Sequence, residues 1–349
     1  MTAVTLVLTL LANVTAWAED INSHMYLKDT TLVAIFDLAG IRKTGLFEDD
    51  LKDAFDNIIN SNEQVQKVGK ILNFDPSKEV TRFTICGGRQ QGPEASVLLI
   101  VNGEFPYDKL VAALGEMVDK GELTSISIND LPVYFNHRAR NAIYFALVDG
   151  QTVITSSSKA MIEDAIQGLT ELREPAEELA GRLKWDDGKE SPPLIHLIGL
   201  FPDEFRRQMA TFPPLKPIAD RMVAYNLVVR VEEEAEFQAR LTLEDPTTAQ
   251  QSVRVFKAMI ELGKAALSNA DRRPDIVEML GGVKLTAKDT DLYFDVAMRP
   301  ALLQQILAGN RQARDEFRER RREREEGKEA GDDAEKKEEA KAESKESES

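Results

Sequence analysis

The sequence predicts an α+β fold: two similar units of mostly antiparallel sheet covered by helices, followed by a disordered charged tail. Three observations carry this. Apolar residues alternate along Val223–Val231 and again along Phe237–Leu243, as strands with one buried and one wet face require. Glu232, Glu233 and Glu234 between them suit only a solvated reversal, and Asp245-Pro246 then opens an amphipathic helix. Finally, the outline strand, reversal, strand, turn, helix occurs twice, over Val80–Met117 and over Met222–Leu262.

The chain opens on Met1–Ala18, which is uncharged, holds the apolar run Val4–Ala12 and ends Ala16-Trp17-Ala18 before Glu19-Asp20. This reads as a signal peptide cleaved after Ala18, with a buried N-terminal element as the alternative; it departs from the usual pattern in having no Lys or Arg ahead of the apolar run. No segment is long and apolar enough to span a bilayer.

Leu32–Phe36 has the composition of a central strand. A helix with the stripe Leu51, Phe55, Ile58, Ile59, Val65, Val68 and Leu72 follows, ending at Asp75-Pro76 because the residue before a proline resists helical dihedrals. Strands are predicted over Thr81–Cys86 and Ser96–Val101, with Gly87-Gly88 read as a turn. Leu110, Val111, Leu114, Met117 and Val118 stripe the next helix. Further strands follow at Leu123–Ile128, Leu131–Phe135, Ile143–Val148 and Thr152–Thr155. Asp149-Gly150 is expected to take the positive backbone angles of a tight hairpin, and Ser157 or Ser158 to cap the closing helix.

Pro175, Asp186-Asp187-Gly188 and Pro192-Pro193 break the pattern. The organisation is therefore a signal peptide at 1–18, a first α+β unit at 30–170, a linker at 171–192, a second unit at 193–310 and a charged tail at 311–349. The second unit opens on the strand Leu194–Leu200, which echoes Leu32–Phe36. It closes with a strand pair turning at Asp289-Thr290 and a helix from Pro300 to Leu307. The tail carries 12 Lys and Arg against 15 Asp and Glu and a single aromatic residue, Phe317, a composition that cannot offset its ordering entropy beyond Gly327.

A formal net charge of −16 argues against nucleic acid or an anionic membrane surface as partner. The single cysteine, Cys86, excludes an internal disulfide and sits in an apolar strand pattern as a buried thiol. His24 and His137 read as surface residues and His196 as a core or interface residue, with no ligand spacing among them. Ser156-Ser157-Ser158-Lys159 matches the serine-to-lysine spacing of penicillin-recognising enzymes, but helix capping explains it and no companion element follows. Glu48-Asp49-Asp50, Asp186-Asp187 and Asp289 with Asp291 lack the continuation of a calcium loop. No catalytic, cofactor-binding or metal residue is assigned, and no cofactor is expected.

Thr31–Leu38, the Phe74-Asp75-Pro76 turn leading to Glu79-Val80, and Leu98–Leu110 around Asn102-Gly103-Glu104-Phe105 resemble a group of uncharacterised exported bacterial proteins with two tandem α+β units. The resemblance implies fold and compartment and brings no activity. The expected function is that of a periplasmic or secreted non-enzymatic protein, binding or structural at the cell envelope, with a protein or envelope component as partner. The alternatives are a carrier of a small or apolar ligand in a cleft between the two units, and a carboxylate-dependent exported hydrolase. The place to look for a site is where the units meet, around Thr170–Pro193 and the strand holding His196.

Overall fold

The computed structural model describes residues 21–46, 75–88, 97–136, 142–175, 179, 182, 192–268, 273–310 and 312. The signal-peptide segment, the Leu51–Leu72 stripe, His137, the Glu48 and Asp186 acidic clusters, most of the linker and the tail beyond 312 lie outside these residues.

The first half runs α1 (Ile21–His24), β1 (Thr30–Asp37), α2 (Leu38–Thr44), α3 (Pro76–Glu79), β2 (Val80–Gly88), β3 (Val97–Gly103), α4 (Tyr107–Asp119), β4 (Thr124–Ile128), β5 (Leu131–Phe135), β6 (Tyr144–Leu147), β7 (Thr152–Ser156) and α5 (Lys159–Glu171). The second runs β8 (Ile195–Leu200), α6 (Asp203–Ala210), α7 (Lys216–Ala219), β9 (Met222–Val231), β10 (Ala235–Leu243), α8 (Pro246–Ser268), α9 (Pro274–Gly281), β11 (Lys284–Lys288) and β12 (Asp291–Met298). Residues 300–310 form a last helix, α10.

All these strands belong to one open antiparallel sheet in the order β11-β12-β10-β9-β8-β1-β2-β3-β7-β6-β5-β4. The halves are joined by main-chain pairing of β1 with β8, in which Ile35 faces His196. Outward from this seam the order is β1-β2-β3-β7-β6 on one side and β8-β9-β10-β12-β11 on the other. One register shift recurs, although the irregularity of β1–β2 between Thr30 and Leu32 has no counterpart in β8–β9. In the first half Val80 faces Gly103, Thr81 is skipped and Arg82 faces Asn102. In the second Met222 faces Leu243, Val223 is skipped and Ala224 faces Thr242. An irregularity that leaves one extra residue in one strand re-aims everything beyond it, and laying one shift on the other sets Val80 against Met222 and Gly103 against Leu243. The halves differ beyond the helix that follows the third strand, α4 in the first and the longer α8 in the second: the first then inserts the β4–β5 hairpin and the second α9.

One cross-strand row shows how the sheet is buried. Leu147, Val153, Val101, Phe83, Phe36, Ile195, Val229, Phe237 and Val296 stand opposite one another across successive strands. All are apolar, and all lie on the face covered by helices. There Leu114 and Met117 of α4 pack with Tyr134, Leu147 and Val153, and Phe256 of α8 packs with Leu285, Leu292 and Phe294. Leu302, Leu303 and Ile306 of α10 join Ala235 and Met298 there.

The sequence suggests helices on one side of the sheet, but the first half is covered on both. Ile162, Ala165 and Ile166 of α5, with Met25 and Leu27, close over Leu98, Ile100 and Ile154, which alternation places on the opposite face. The apolar residues of β3 and β7 point both ways, and each face takes its own cover.

Several local expectations change. Gly87 and Gly88 do not turn; they finish β2, where Gly87 pairs with Leu32 and with Val97. Neither Asp149 nor Gly150 has a positive φ, and Asp149 instead accepts a hydrogen bond from Gln151 N at 2.7 Å through Oδ1. The hairpin with positive φ at both central residues is β4–β5, at Asn129 (48°) and Asp130 (65°), where short polar side chains tolerate that region. Ser158 stands at the N-cap of α5 without a side-chain cap bond. The cap of α8 is as expected: Asp245 Oδ1 accepts from Thr248 N at 2.8 Å. Helix α9 is a further element, which Pro274 at its first position and Gly282 at its end start and stop.

A polar half-face at the seam

Alternation places a second row on the other face, through all twelve strands: Ile126, Val133, Ala146, Ile154, Ile100, Thr84, Ile35, His196, Val228, Gln238, Asp295 and Lys284. Up to Ile35 it is apolar apart from Thr84. From His196 onward Val228 is the only apolar member. The register shift shared by the halves aligns Leu98, Ile100 and Ile154 of the first with Gln238, Arg240 and Tyr293 of the second. Three positions that are aliphatic in one half are polar in the other.

His196 begins this polar stretch and is fully buried. Its Nε2 lies 2.7 Å from Oδ1 of Asn226, and the amide nitrogen of Asn226 donates to the Arg182 carbonyl at 2.9 Å. Because that amide nitrogen is committed as a donor, Oδ1 is the acceptor and Nε2 of His196 carries the proton. Burial, with the Arg230 and Arg240 guanidinium groups adding to it, lowers the His196 pKa to about 3 against the opposing effect of the Asn226 bond. The ring is neutral at physiological pH.

The network continues outward. Arg182 Nη1 donates to Thr242 Oγ1 at 2.8 Å, and Thr242 Oγ1 donates to Asp291 Oδ1 at 2.7 Å. Arg240 Nη1 lies 4.0 Å from Asp291 Oδ2, to which Tyr293 Oη also donates at 3.4 Å. Arg230 Nη1 reaches Gln238 Oε1 at 3.4 Å. Arg182 is thus held against the strand pair β9–β10, and Asn226 joins its carbonyl to His196. Asn226 itself was not singled out from sequence. Gln238, Arg240 and Thr242 read there as a wet face, but they are partly buried.

The remaining candidate residues are not brought together. His24 is partly buried rather than on the surface, its Nδ1 2.8 Å from the Arg173 carbonyl. Ser156 Oγ bonds Met161 Sδ at 3.6 Å and accepts from Ser158 N, while Lys159 Nζ pairs with Glu163 at 2.6 Å. That serine and lysine are engaged separately and do not form a nucleophile with its base. Asp289 occupies a turn at φ 52° and Asp291 belongs to the polar network. Among the described residues no group of three or more His, Cys, Asp or Glu could hold a metal ion, and no helix is long and apolar enough to cross a membrane.

No protein-family model and no curated protein matches the chain. Among solved structures it is similar to crystal form III of TP0453, with a TM-score of 0.47 and 11% identity over 83% of this chain and 98% of that one. Form I gives 0.45 and 10% over 83% and 97%, and form IV 0.43 and 11% over 82% and 96%. At these TM-scores nothing about function passes from TP0453 to this chain.

Proposed function

We propose that the chain is an exported, non-catalytic protein of the cell envelope, built by internal duplication, whose second half binds a protein or envelope component through its polar face. The observation that carries this is the exchange of Leu98, Ile100 and Ile154 for Gln238, Arg240 and Tyr293 at aligned rungs of the sheet. In a duplicated frame the first half shows what folding alone asks of these positions, which is an aliphatic core. Polar side chains there bring hydrogen-bonding groups that the aliphatic first half does without, and Tyr and Arg are enriched where proteins meet partners. Export rests on the Ala16-Trp17-Ala18 pattern.

The test is to place a photo-crosslinking residue at Gln238 or at Asp295 in the full chain expressed in its own cell, with Val255 of α8 as the control position. A specific adduct at the polar positions, lost when Arg240 and Tyr293 are replaced by leucine, and a mature N-terminus at Glu19 in the exported fraction would support the reading. Equal adducts at all three positions, or none, would remove the binding role. Turnover by the purified chain that one substitution on this face abolishes would replace it with an enzyme.

A further inference from the structure

The open sheet ends in two edge strands, and they are built differently. The β11 edge reads Lys-Leu-Thr-Ala-Lys, and pairing it antiparallel with a second copy about Thr286 would set Lys284 opposite Lys288 twice. Like charges directly opposed are destabilising, and lysines on an edge are a common device against such pairing. The β4 edge reads Thr-Ser-Ile-Ser-Ile, with no charge and no proline. Among the described residues β5 is the only strand paired with it.

We propose that β4 is a self-pairing edge through which two copies of this chain join their sheets. Antiparallel pairing about Ile126 is self-complementary. On one face Ile126 meets Ile126 and Thr124 meets Ile128, and on the other Ser125 meets Ser127. Each chain already pairs Ile126 with Val133, and Thr124 with Phe135. The junction therefore continues one apolar row from one sheet into the next, Val133, Ile126, Ile126, Val133, and a second, Phe135, Thr124, Ile128, Leu131, that is apolar but for the Thr124 hydroxyl. Ile126 and Ile128 pack on their own core yet remain only partly buried, while Ser125 and Ser127 are exposed. β-Branched residues facing one another are favourable cross-strand pairs. The occupant is a second copy because the register satisfies itself without a charge, a turn or a side-chain pocket supplied by another sequence.

Charge sets the conditions. Each copy carries −16, so two copies brought together repel. Repulsion between surface charges is screened over about 8 Å at physiological salt but reaches about 30 Å at 0.01 M. Association through β4 therefore strengthens with added salt, the reverse of an interface built on ion pairs.

Sedimentation equilibrium of the full chain at low and high salt tests this. The expected result is a dimer that tightens with salt. Ser125→Lys combined with Ser127→Lys, on the exposed face, is expected to weaken it about tenfold or more by opposing lysines twice, with the thermal unfolding of the monomer unchanged. Ile126→Cys should form a disulfide between copies. A chain that stays monomeric at high salt, or a dimer indifferent to the Ser125 and Ser127 pair, overturns the proposal.

Discussion

His196 and Asn226 share a hydrogen bond of 2.7 Å across neighbouring strands, one rung from the line where the two halves of the sheet meet. Asn226 is oriented by the Arg182 carbonyl, so it can only accept from the ring, and a neutral imidazole is built into the fold. Unfolded, His196 takes a proton near pH 6.5, whereas folded it does so only near 3. Between these values the unfolded chain binds more protons. The stability the buried neutral ring contributes is complete above pH 6.5 and is lost as pH falls towards 3, at up to about 1.4 kcal/mol per pH unit. Urea midpoints at pH 7.5 and 5 should converge for His196→Gln relative to the parent chain. Equal acid losses in both would refute the assignment.

Asn226→Ala should be costly at any pH. It strands the Nε2 proton in a buried site and removes the donor to Arg182, and leaving such a group unsatisfied costs about 1–3 kcal/mol. Denaturant unfolding at pH 7.5 measures this directly. A change below the error of that measurement would mean that the ring finds another acceptor.

Two glycines of the first half carry opposite predictions. At Gly103 a Cβ would stand 2.6 Å from the Glu79 carbonyl oxygen and 3.1 Å from Val80 Cα, both main-chain atoms. Gly103→Ala should therefore destabilise by about 1–3 kcal/mol. Gly115, inside α4, meets nothing within 4 Å, and Gly115→Ala should stabilise by about 0.5–1 kcal/mol through helix propensity. Thermal scans of the two variants should move in opposite directions.

Alternation was enough to place most of the strands up to Val296, because one face of each keeps a period of two, and the compact apolar runs Leu32–Phe36 and Leu194–Leu200 placed the two central ones. It was also enough to suggest the repeated frame. The joining of the halves was not legible, since Leu32–Phe36 and Leu194–Leu200 are apolar on both faces and such strands carry no mark of their neighbours. The polar half-face was visible only as the wet side of Phe237–Leu243. Its partial burial and its link to His196 depend on Asn226, whose isolated position in an apolar strand was the available signal. Local turn chemistry misled at Asp149-Gly150, where an aspartate side chain closes the turn without positive φ.

Arg173 ties the N-terminal segment to α5. Its guanidinium donates to the Tyr26 carbonyl at 3.2 Å and the Asp164 carbonyl at 3.1 Å and pairs with the Asp164 carboxylate at 3.0 Å, while the other oxygen of that carboxylate accepts from Lys28 N. Replacing it by alanine unties one strap from one helix, leaving the sheet untouched. Amide exchange at Tyr26 and Lys28 should accelerate selectively, with a loss of about 1–3 kcal/mol in global stability. Uniform acceleration along β2 and β3 instead would show that the strap is needed for the sheet itself.

Cys86 supplies a probe of the core. It is fully buried in β2 on the face closed by α5, and burial raises its thiol above the ordinary range, so the thiolate that reacts with alkylating or disulfide reagents is not populated in the native state. Labelling of the purified chain at pH 8 should be slow and should accelerate in step with unfolding as urea is added, because exposure requires the sheet to open. Rapid labelling without denaturant would place a local opening between α5 and β2, and would contradict the packing of Met25, Ile162 and Ile166 over that strand.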